Sequence, residues 1–168
     1  MISEFDTQID SLLARIAGLL TARNWRMATA ESCTGGWIAK CCTDVAGSSD
    51  WFERAYVAYS YRAKEQMLGV SHEDLLEYGA VSEEIAWQMA AGARQRSQAE
   101  VVVSVTGIAG PGGGMPGKPV GLVHFGWCIG DQPVVCDSEI FEGDRKSVRQ
   151  QTVLYALRGI ISRIGVQS

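Results

Sequence analysis

The stretch SEEIAWQMAAGARQRSQAEVVVSVTG, residues 82–107, decides the fold class because it joins a helix pattern to a strand pattern. Ser82 is a hydroxyl-bearing N-cap followed by glutamates in the first turn, which predicts a helix that ends near Arg96. Val101–Val105 is rich in β-branched residues and uncharged, which is typical of a strand buried on both faces. A helix that leads into such a strand indicates a layered α/β domain.

The flanking sequence repeats this alternation of helices and strands. Apolar periodicity predicts helices over 3–23, 37–45, 61–68, 73–78 and 145–164, and strands over 27–30, 56–59, 120–129 and 134–141. Gly130 and Asp131 indicate a hairpin turn between the last two strands, and Asp144 is a suitable cap for the final helix. Three tryptophans are expected in the core: Trp37, Trp87 and Trp127. We therefore expect one α/β domain over residues 1–168, with a mixed sheet flanked by helices.

The composition narrows the classes of function. The chain of 168 residues has a net charge of −4 and a pI near 5.2, which argues against a nucleic-acid or anionic-membrane partner. The N-terminus does not resemble a signal peptide, and no apolar run is long enough to span a membrane. The five cysteines, an odd number, are expected as reduced thiols in the cytoplasm. The chain has only two histidines, which are few ligands for a metal site. These features predict a cytoplasmic protein with no metal and no cofactor.

The segment ESCTGG, residues 31–36, is the first candidate for chemistry. Ser32 lies between a predicted strand and a predicted helix, and Gly35 and Gly36 allow a tight turn there. Free N–H groups at a helix start can stabilise an oxyanion, which would suit a nucleophilic serine. The pattern by itself also allows a simpler interpretation, in which Ser32 or Thr34 only caps the helix.

A serine nucleophile needs a base, and the sequence offers few. His72 lies in a charged, surface-like run, and His124 lies within a strand where a structural role is expected. Lys64 follows a predicted strand end, and a lysine whose pKa is lowered by burial can replace histidine. Tyr59 lies at that strand end and could relay or position a proton. Spacing alone, however, favours a solvated helix position for Lys64.

Two further features suit an anionic ligand. The loop over 107–121, GIAGPGGGMPGKPVG, follows the buried strand, and Thr106, Gly107 and Gly110 lie at its start. A glycine loop in this place commonly binds phosphate or sugar, although it can also be a long turn. Arg145 begins the final helix and could present a planar fork to a phosphate or carboxylate, or be merely exposed.

Five blocks of sequence, in order, resemble the C-terminal domain of the CinA competence/damage-inducible proteins. They are residues 28–70, 78–93, 103–114, 118–127 and 141–157. The resemblance covers nearly the whole chain, which is similar to the stand-alone form of the family without the N-terminal domain of two-domain members. It implies nicotinamide-nucleotide amidohydrolase activity: nicotinamide mononucleotide and water would give nicotinate mononucleotide and ammonia.

The resemblance also implies roles for individual residues. Ser32 would be the nucleophile, with Lys64 and Tyr59 as its catalytic partners and no metal. Glu31, Thr106 and Arg145 would lie in or near the pocket. The loop GGGMPGKPVG differs in length and polarity from what many family members are expected to have.

The expected mechanism is covalent, with neutral Lys64 taking the Ser32 proton directly or through Tyr59. Backbone N–H groups from Cys33, Thr34, Gly35 and Gly36 would hold the oxyanion. The alternative is a catalytically weak, nucleotide-binding accessory module that keeps the same pocket. A homo-oligomer is expected in either case, with a dimer favoured.

Overall fold

The computed structural model describes residues 1–166 as six α-helices and five strands. The helices are α1 Glu4–Arg23, α2 Trp37–Asp44, α3 Tyr61–Leu68, α4 His72–Tyr78, α5 Glu83–Ser97 and α6 Arg145–Gly165. The strands are β1 Met27–Glu31, β2 Phe52–Val57, β3 Val101–Gly107, β4 Leu122–Ile129 and β5 Val135–Ile140. A short 3₁₀ helix, Ser48–Asp50, precedes β2.

The five strands form one mixed sheet in the order β2-β1-β3-β4-β5. Strand β1 pairs in parallel with both β2 and β3, whereas β4 is antiparallel to β3 and to β5. The carboxyl ends of β1, β2 and β3 therefore lie at the same edge of the sheet as the start of β4. Loops at that edge of an α/β sheet commonly form the ligand site.

Helices cover both faces of the sheet, as the sequence predicts. One apolar cluster joins the sheet to α1, α2 and α6, and a second joins it to α3, α4 and α5. Strand β3 is buried along Val101–Thr106, which confirms the prediction that it is covered on both sides. The mixed, layered α/β architecture is thus confirmed.

Local signals for helix ends are also confirmed. The Ser82 side chain accepts a hydrogen bond from the Ile85 N–H, and the Asp144 carboxylate accepts one from the Ser147 N–H. Each side chain satisfies an N–H group that has no partner inside the helix. These two caps place the beginnings of α5 and α6 where the sequence predicts them.

Two predictions are wrong in detail. The strand expected over 56–59 is instead Phe52–Val57, so Tyr59 lies beyond the strand, in the turn that leads to α3. Trp87 is 49% exposed rather than in the core, because α5 packs through its alanine-rich face and Trp87 lies on another side. Trp127 is buried as predicted, whereas Trp37 is only partly buried and packs at the margin of the core.

A glycine allows α3 to approach α5 closely. A Cβ on Gly92 would lie 1.9 Å from the Leu68 carbonyl oxygen, so any larger residue would force the two helices apart. Leu68 and Lys64 are the buried residues of α3, one helical turn from each other. The close packing of α3 therefore brings Lys64 under the edge of the sheet.

None of the helices within residues 1–166 is both long enough and apolar enough to cross a membrane.

Candidate active site

A pocket of about 260 Å³ lies at the edge where β1, β2 and β3 end. It is formed by the turn after β1, the turn before α3, the segment before α5, the loop after β3 and the start of α6. The residues that line it are Ser32, Cys33, Tyr59, Lys64, Ala80, Val81, Thr106, Gly107, Ile108, Ala109, Gly110, Gly112, Gly113 and Arg145. The sheet topology thus gathers segments that are distant in sequence around one small cavity.

Ser32 and Lys64 contact each other directly in this pocket. The Lys64 Nζ lies 2.9 Å from the Ser32 Oγ, and both residues are buried. The Ser32 backbone N–H donates to the Val105 carbonyl, which extends the β1–β3 pairing by one residue and fixes the serine at the strand end. The Ser32 side chain caps no helix, because the N-cap position of α2 is Gly36, where no side-chain hydrogen bond forms.

The Lys64 amine is held by two backbone carbonyls besides the serine. Its Nζ donates to the Ala58 oxygen at 3.0 Å and to the Tyr59 oxygen at 2.9 Å. Burial lowers the pKa of Lys64 to about 8, although the nearby Cys33 opposes the shift. Within residues 1–166, no carboxylate forms an ion pair with this lysine. The geometry therefore provides an amine whose neutral form is accessible near neutral pH.

Hydrogen bonds to the Glu31 side chain fix the turn over 32–36, which we call the serine turn. The buried carboxylate of Glu31 accepts hydrogen bonds from the Thr34 hydroxyl at 2.7 Å and from the Ile38 and Ala39 N–H groups at 3.0 Å. It also accepts one from the Thr29 hydroxyl at 3.0 Å. A carboxylate at a helix N-terminus satisfies free N–H groups and suits the helix dipole. Glu31 thus connects β1 to α2 and does not line the pocket.

A second clamp on the serine turn comes from α6. The Arg149 Nε donates to the Cys33 carbonyl at 3.0 Å, and its Nη2 donates to the Thr34 carbonyl at 2.9 Å. The guanidinium also lies 5.0 Å from the centroid of the Trp37 ring. Sequence reasoning missed this residue, although its spacing of four from Arg145 places both arginines on one face of α6.

The mouth of the pocket is formed by exposed polar groups. Arg145 donates to the Gly110 carbonyl at 2.8 Å and to the Tyr59 hydroxyl at 3.3 Å. Tyr59 is 62% exposed. Its hydroxyl faces Arg145, whereas its backbone carbonyl faces Lys64. The Lys64 amine contacts the Ser32 hydroxyl directly. The Tyr59 hydroxyl contacts Arg145 instead and does not lie between them.

The loop after β3 approaches the pocket through glycines. A Cβ on Gly107 would lie 2.6 Å from Val123 Cγ2, and one on Gly110 would lie 2.5 Å from Val120 Cγ1. Thr106 at the end of β3 is buried, and its hydroxyl donates to the Ala80 carbonyl at 2.7 Å. These glycines therefore let the loop backbone pack closely against Val120 and Val123, and Thr106 ties the end of β3 to Ala80 where both residues line the pocket.

Cys33, next to Ser32, is a poor competitor as nucleophile. Its side chain is buried, and burial raises the pKa of the thiol to about 12. A thiol reacts through its thiolate, which is negligible near neutral pH at such a pKa. The serine therefore has the only activated side chain in the turn.

The two histidines considered as bases lie elsewhere. His72 is exposed and contacts the Glu65 carboxylate at 2.7 Å, whereas His124 lies within β4 opposite Thr106 and Ser138. No histidine lines the pocket in the described part of the chain. In the same residues 1–166, no three His, Cys, Asp or Glu residues come together in a group that could hold a metal ion.

The structure divides the sequence-predicted residues into two groups. Eight of them line the pocket: Ser32, Cys33, Tyr59, Lys64, Thr106, Gly107, Gly110 and Arg145. Four of them lie behind it, in or next to the serine turn: Glu31, Thr34, Gly35 and Gly36. The Gly35 N–H donates to the Ser32 carbonyl, so this group is not available to an oxyanion. The Ala80–Val81 segment was not anticipated, because nothing in its residue types marks it as functional.

Comparison with known proteins shows the family of the chain. Residues 9–164 match the family described as the CinA C-terminal domain, and the chain belongs to that family. A relative from Escherichia coli strain K12 named nicotinamide-nucleotide amidohydrolase PncC is 48% identical over 153 residues, which cover 91% of this chain and 93% of the relative.

Solved structures give the same assignment. The competence damage-inducible protein A from Klebsiella pneumoniae superposes with a TM-score of 0.90 at 35% identity, covering 94% of this chain and 97% of the other. The competence/damage-inducible protein CihA from Agrobacterium tumefaciens gives a TM-score of 0.89 at 45% identity, covering 92% and 94%.

Proposed function

We propose that this protein hydrolyses the carboxamide of nicotinamide mononucleotide to give nicotinate mononucleotide and ammonia. The observation that carries the proposal is the contact of 2.9 Å between the buried Lys64 amine and the Ser32 hydroxyl. A serine next to a lysine of lowered pKa is an arrangement that can catalyse acyl transfer, because the neutral amine can accept the serine proton. The name of the Escherichia coli relative, nicotinamide-nucleotide amidohydrolase, supports the choice of substrate.

The proposed first step uses the three partners of the Lys64 amine. A neutral amine has two N–H groups, which the Ala58 and Tyr59 carbonyls accept, so its lone pair faces the Ser32 hydroxyl. As the Ser32 Oγ forms a bond to the carboxamide carbon, its proton passes to Lys64. The ammonium then donates a proton to the leaving nitrogen, the C–N bond breaks and ammonia departs.

The second step returns the enzyme to its starting state. Water attacks the ester carbon and neutral Lys64 takes one water proton. As the bond between that carbon and Ser32 Oγ breaks, the Lys64 ammonium returns this proton to Oγ, and the released acid loses its remaining proton to solvent to give nicotinate. The pyridinium ring withdraws electrons from the carbonyl carbon and favours both attacks. N–H groups of the serine turn stabilise the negative oxygen that forms in each step.

We further propose that the mouth of the pocket recognises the nucleotide part of the substrate. Arg145 supplies a cation with planar N–H donors, and Gly112 and Gly113 supply backbone close to it. Such donors suit a 5′-phosphate, which would be held away from Ser32 while the carboxamide enters the buried end. A dimeric assembly and a cytoplasmic location stay predictions.

The second candidate function is the accessory module that binds a nucleotide without hydrolysing it. The exposed Arg145 and glycine loop would serve such a role equally well. Binding alone, however, does not require a lysine amine to be buried against a serine hydroxyl, since burying that group is costly. The Ser32–Lys64 contact therefore favours the enzyme.

The direct test is ammonia release by the purified protein from nicotinamide mononucleotide, nicotinamide riboside and nicotinamide. We expect kcat/KM to be highest for the mononucleotide and to fall about 10-fold or more for the riboside, since a charged hydrogen-bond pair is lost. Tight binding of the mononucleotide with no ammonia released would contradict the enzyme and favour the accessory module. Equal values for nucleotide and riboside would contradict phosphate recognition.

A further inference from the structure

Arg149 is a charged residue that touches the serine turn without lining the pocket. Its fork holds the carbonyls of two consecutive residues, Cys33 and Thr34, and its flat face lies against Trp37. Lysine could not make the same contacts, because only guanidinium presents two donors in a rigid plane. The residue is therefore well suited to fix the orientation of a peptide group.

The peptide between Cys33 and Thr34 is the group whose orientation matters. It is trans, since the one cis bond found within residues 1–166 is Gly110–Pro111. In a trans peptide the N–H points opposite to the carbonyl. Because the Cys33 carbonyl points to Arg149, the Thr34 N–H points to the opposite face of the turn, and it has no hydrogen-bond acceptor within residues 1–166.

A second contact supports this orientation. On the other side, Glu31 holds the Thr34 hydroxyl at 2.7 Å, so the residue cannot rotate away. The Cys33–Thr34 peptide is thus fixed by two clamps, Arg149 and Glu31, before any substrate binds.

We propose that Arg149 is a positioning residue for hydrolysis, which fixes the orientation of the Cys33–Thr34 peptide and thereby keeps the Ser32 hydroxyl within 2.9 Å of the Lys64 amine. The inference relies on the proposed function for the identity of the substrate. The role of Arg149 in the reactivity of Ser32 does not depend on that identity. It predicts that Arg149 affects the transition state and leaves binding of the ground state almost unchanged.

The test compares Arg149→Met, Arg149→Lys and the control Arg158→Met, which alters an exposed arginine of the same helix that contacts Gln8. Two rates are measured. The first is hydrolysis of nicotinamide mononucleotide. The second is labelling of Ser32 by a fluorophosphonate, in which Oγ bonds to phosphorus, fluoride leaves with the bonding electrons, and the serine proton passes to Lys64. The melting temperature of each variant shows whether it is folded.

We expect Arg149→Met to lower kcat and the labelling rate about 10- to 100-fold, with KM changed less than about twofold. Arg149→Lys should recover only a small part of the lost kcat and labelling rate, and Arg158→Met should match the wild type in both. The acid limb of the pH profile should stay at the same pH in all variants. Unchanged labelling in folded Arg149→Met, or a loss confined to KM, would overturn the inference. Slower labelling in a protein that does not hydrolyse the mononucleotide would support it while contradicting the proposed substrate.

Discussion

The floor and the mouth of the pocket are built in opposite ways. The floor, formed by Ser32, Lys64 and Thr106, is buried, and Lys64 is only 1% exposed. The mouth, formed by Tyr59, Gly112 and Arg145, is open to solvent, and Tyr59 is 62% exposed. Burial changes the pKa of an amine, whereas exposure keeps a guanidinium free to meet an anion. Under the proposed function, we therefore expect chemistry at the floor and recognition at the mouth.

The largest effect should come from removing the nucleophile at the floor. Ser32→Ala is expected to lower kcat by about four orders of magnitude, because no other group in the turn can form the covalent bond. Ammonia release and circular dichroism would be compared with Ser138→Ala, a matched change on the exposed strand β5. Retention of about a tenth of the activity by Ser32→Ala would contradict covalent catalysis.

Replacement of Lys64 should be nearly as damaging. Lys64→Met keeps the length of the side chain but removes the base, so kcat should fall about 10³- to 10⁴-fold. Lys64→Arg should be similarly inactive, since guanidinium does not release its proton at working pH. Lys40→Met, which alters an exposed lysine paired with Asp44, is the control. If folded Lys64→Arg hydrolysed the substrate normally, Lys64 would be an electrostatic or structural residue.

At the mouth, Arg145→Met should affect discrimination more than chemistry. It is expected to lower kcat/KM for nicotinamide mononucleotide about 10- to 100-fold and to leave the riboside almost unchanged, because only the nucleotide carries phosphate. The measurement is the ratio of kcat/KM for the mononucleotide to kcat/KM for the riboside, compared between the variant and the wild type. A ratio equal to that of the wild type would place phosphate recognition on the glycine loop alone.

The smallest effect should come from Tyr59→Phe. The hydroxyl of Tyr59 contacts Arg145, while only its carbonyl contacts Lys64, so the variant should lose about two- to tenfold in kcat/KM. Its kcat should be close to that of the wild type. A fall in kcat as large as that of Lys64→Met would show that the tyrosine hydroxyl is part of the proton path and would break the division between floor and mouth.

The sequence predicts the fold well because its signals are local. The caps Ser82 and Asp144 and the run Val101–Val105 each act through neighbours in the chain, and the elements they predict are found. The end of β2 was misplaced because Tyr56–Tyr59 is aromatic on both sides of the strand boundary. Trp87 was misassigned because residue type alone does not show which face of α5 is buried.

The site could be predicted only in part, because its key contacts are tertiary. Spacing alone favours a solvated position for Lys64, whereas its burial depends on the close approach of α3 to α5 at Gly92. The stripe that Lys64 shares with Leu68 is the one local sign of this. Arg149 lies more than a hundred residues after the turn that it holds. Residue chemistry names Lys64 only as one possible base for Ser32, and the resemblance to a family is what singles out this pair.

The central claim is that burial prepares Lys64 as the base for Ser32, and the pH dependence of single-turnover hydrolysis tests it most directly. With the pKa of Lys64 lowered to about 8, the amine is protonated and inactive below that pH and neutral above it. The rate should therefore rise tenfold for each pH unit below about 8 and become constant above it. Arg145→Met should show the same limb, because Arg145 does not touch Lys64. A limb near pH 6.5, the value of an ordinary histidine, or a rate independent of pH between about 6 and 9, would contradict the account.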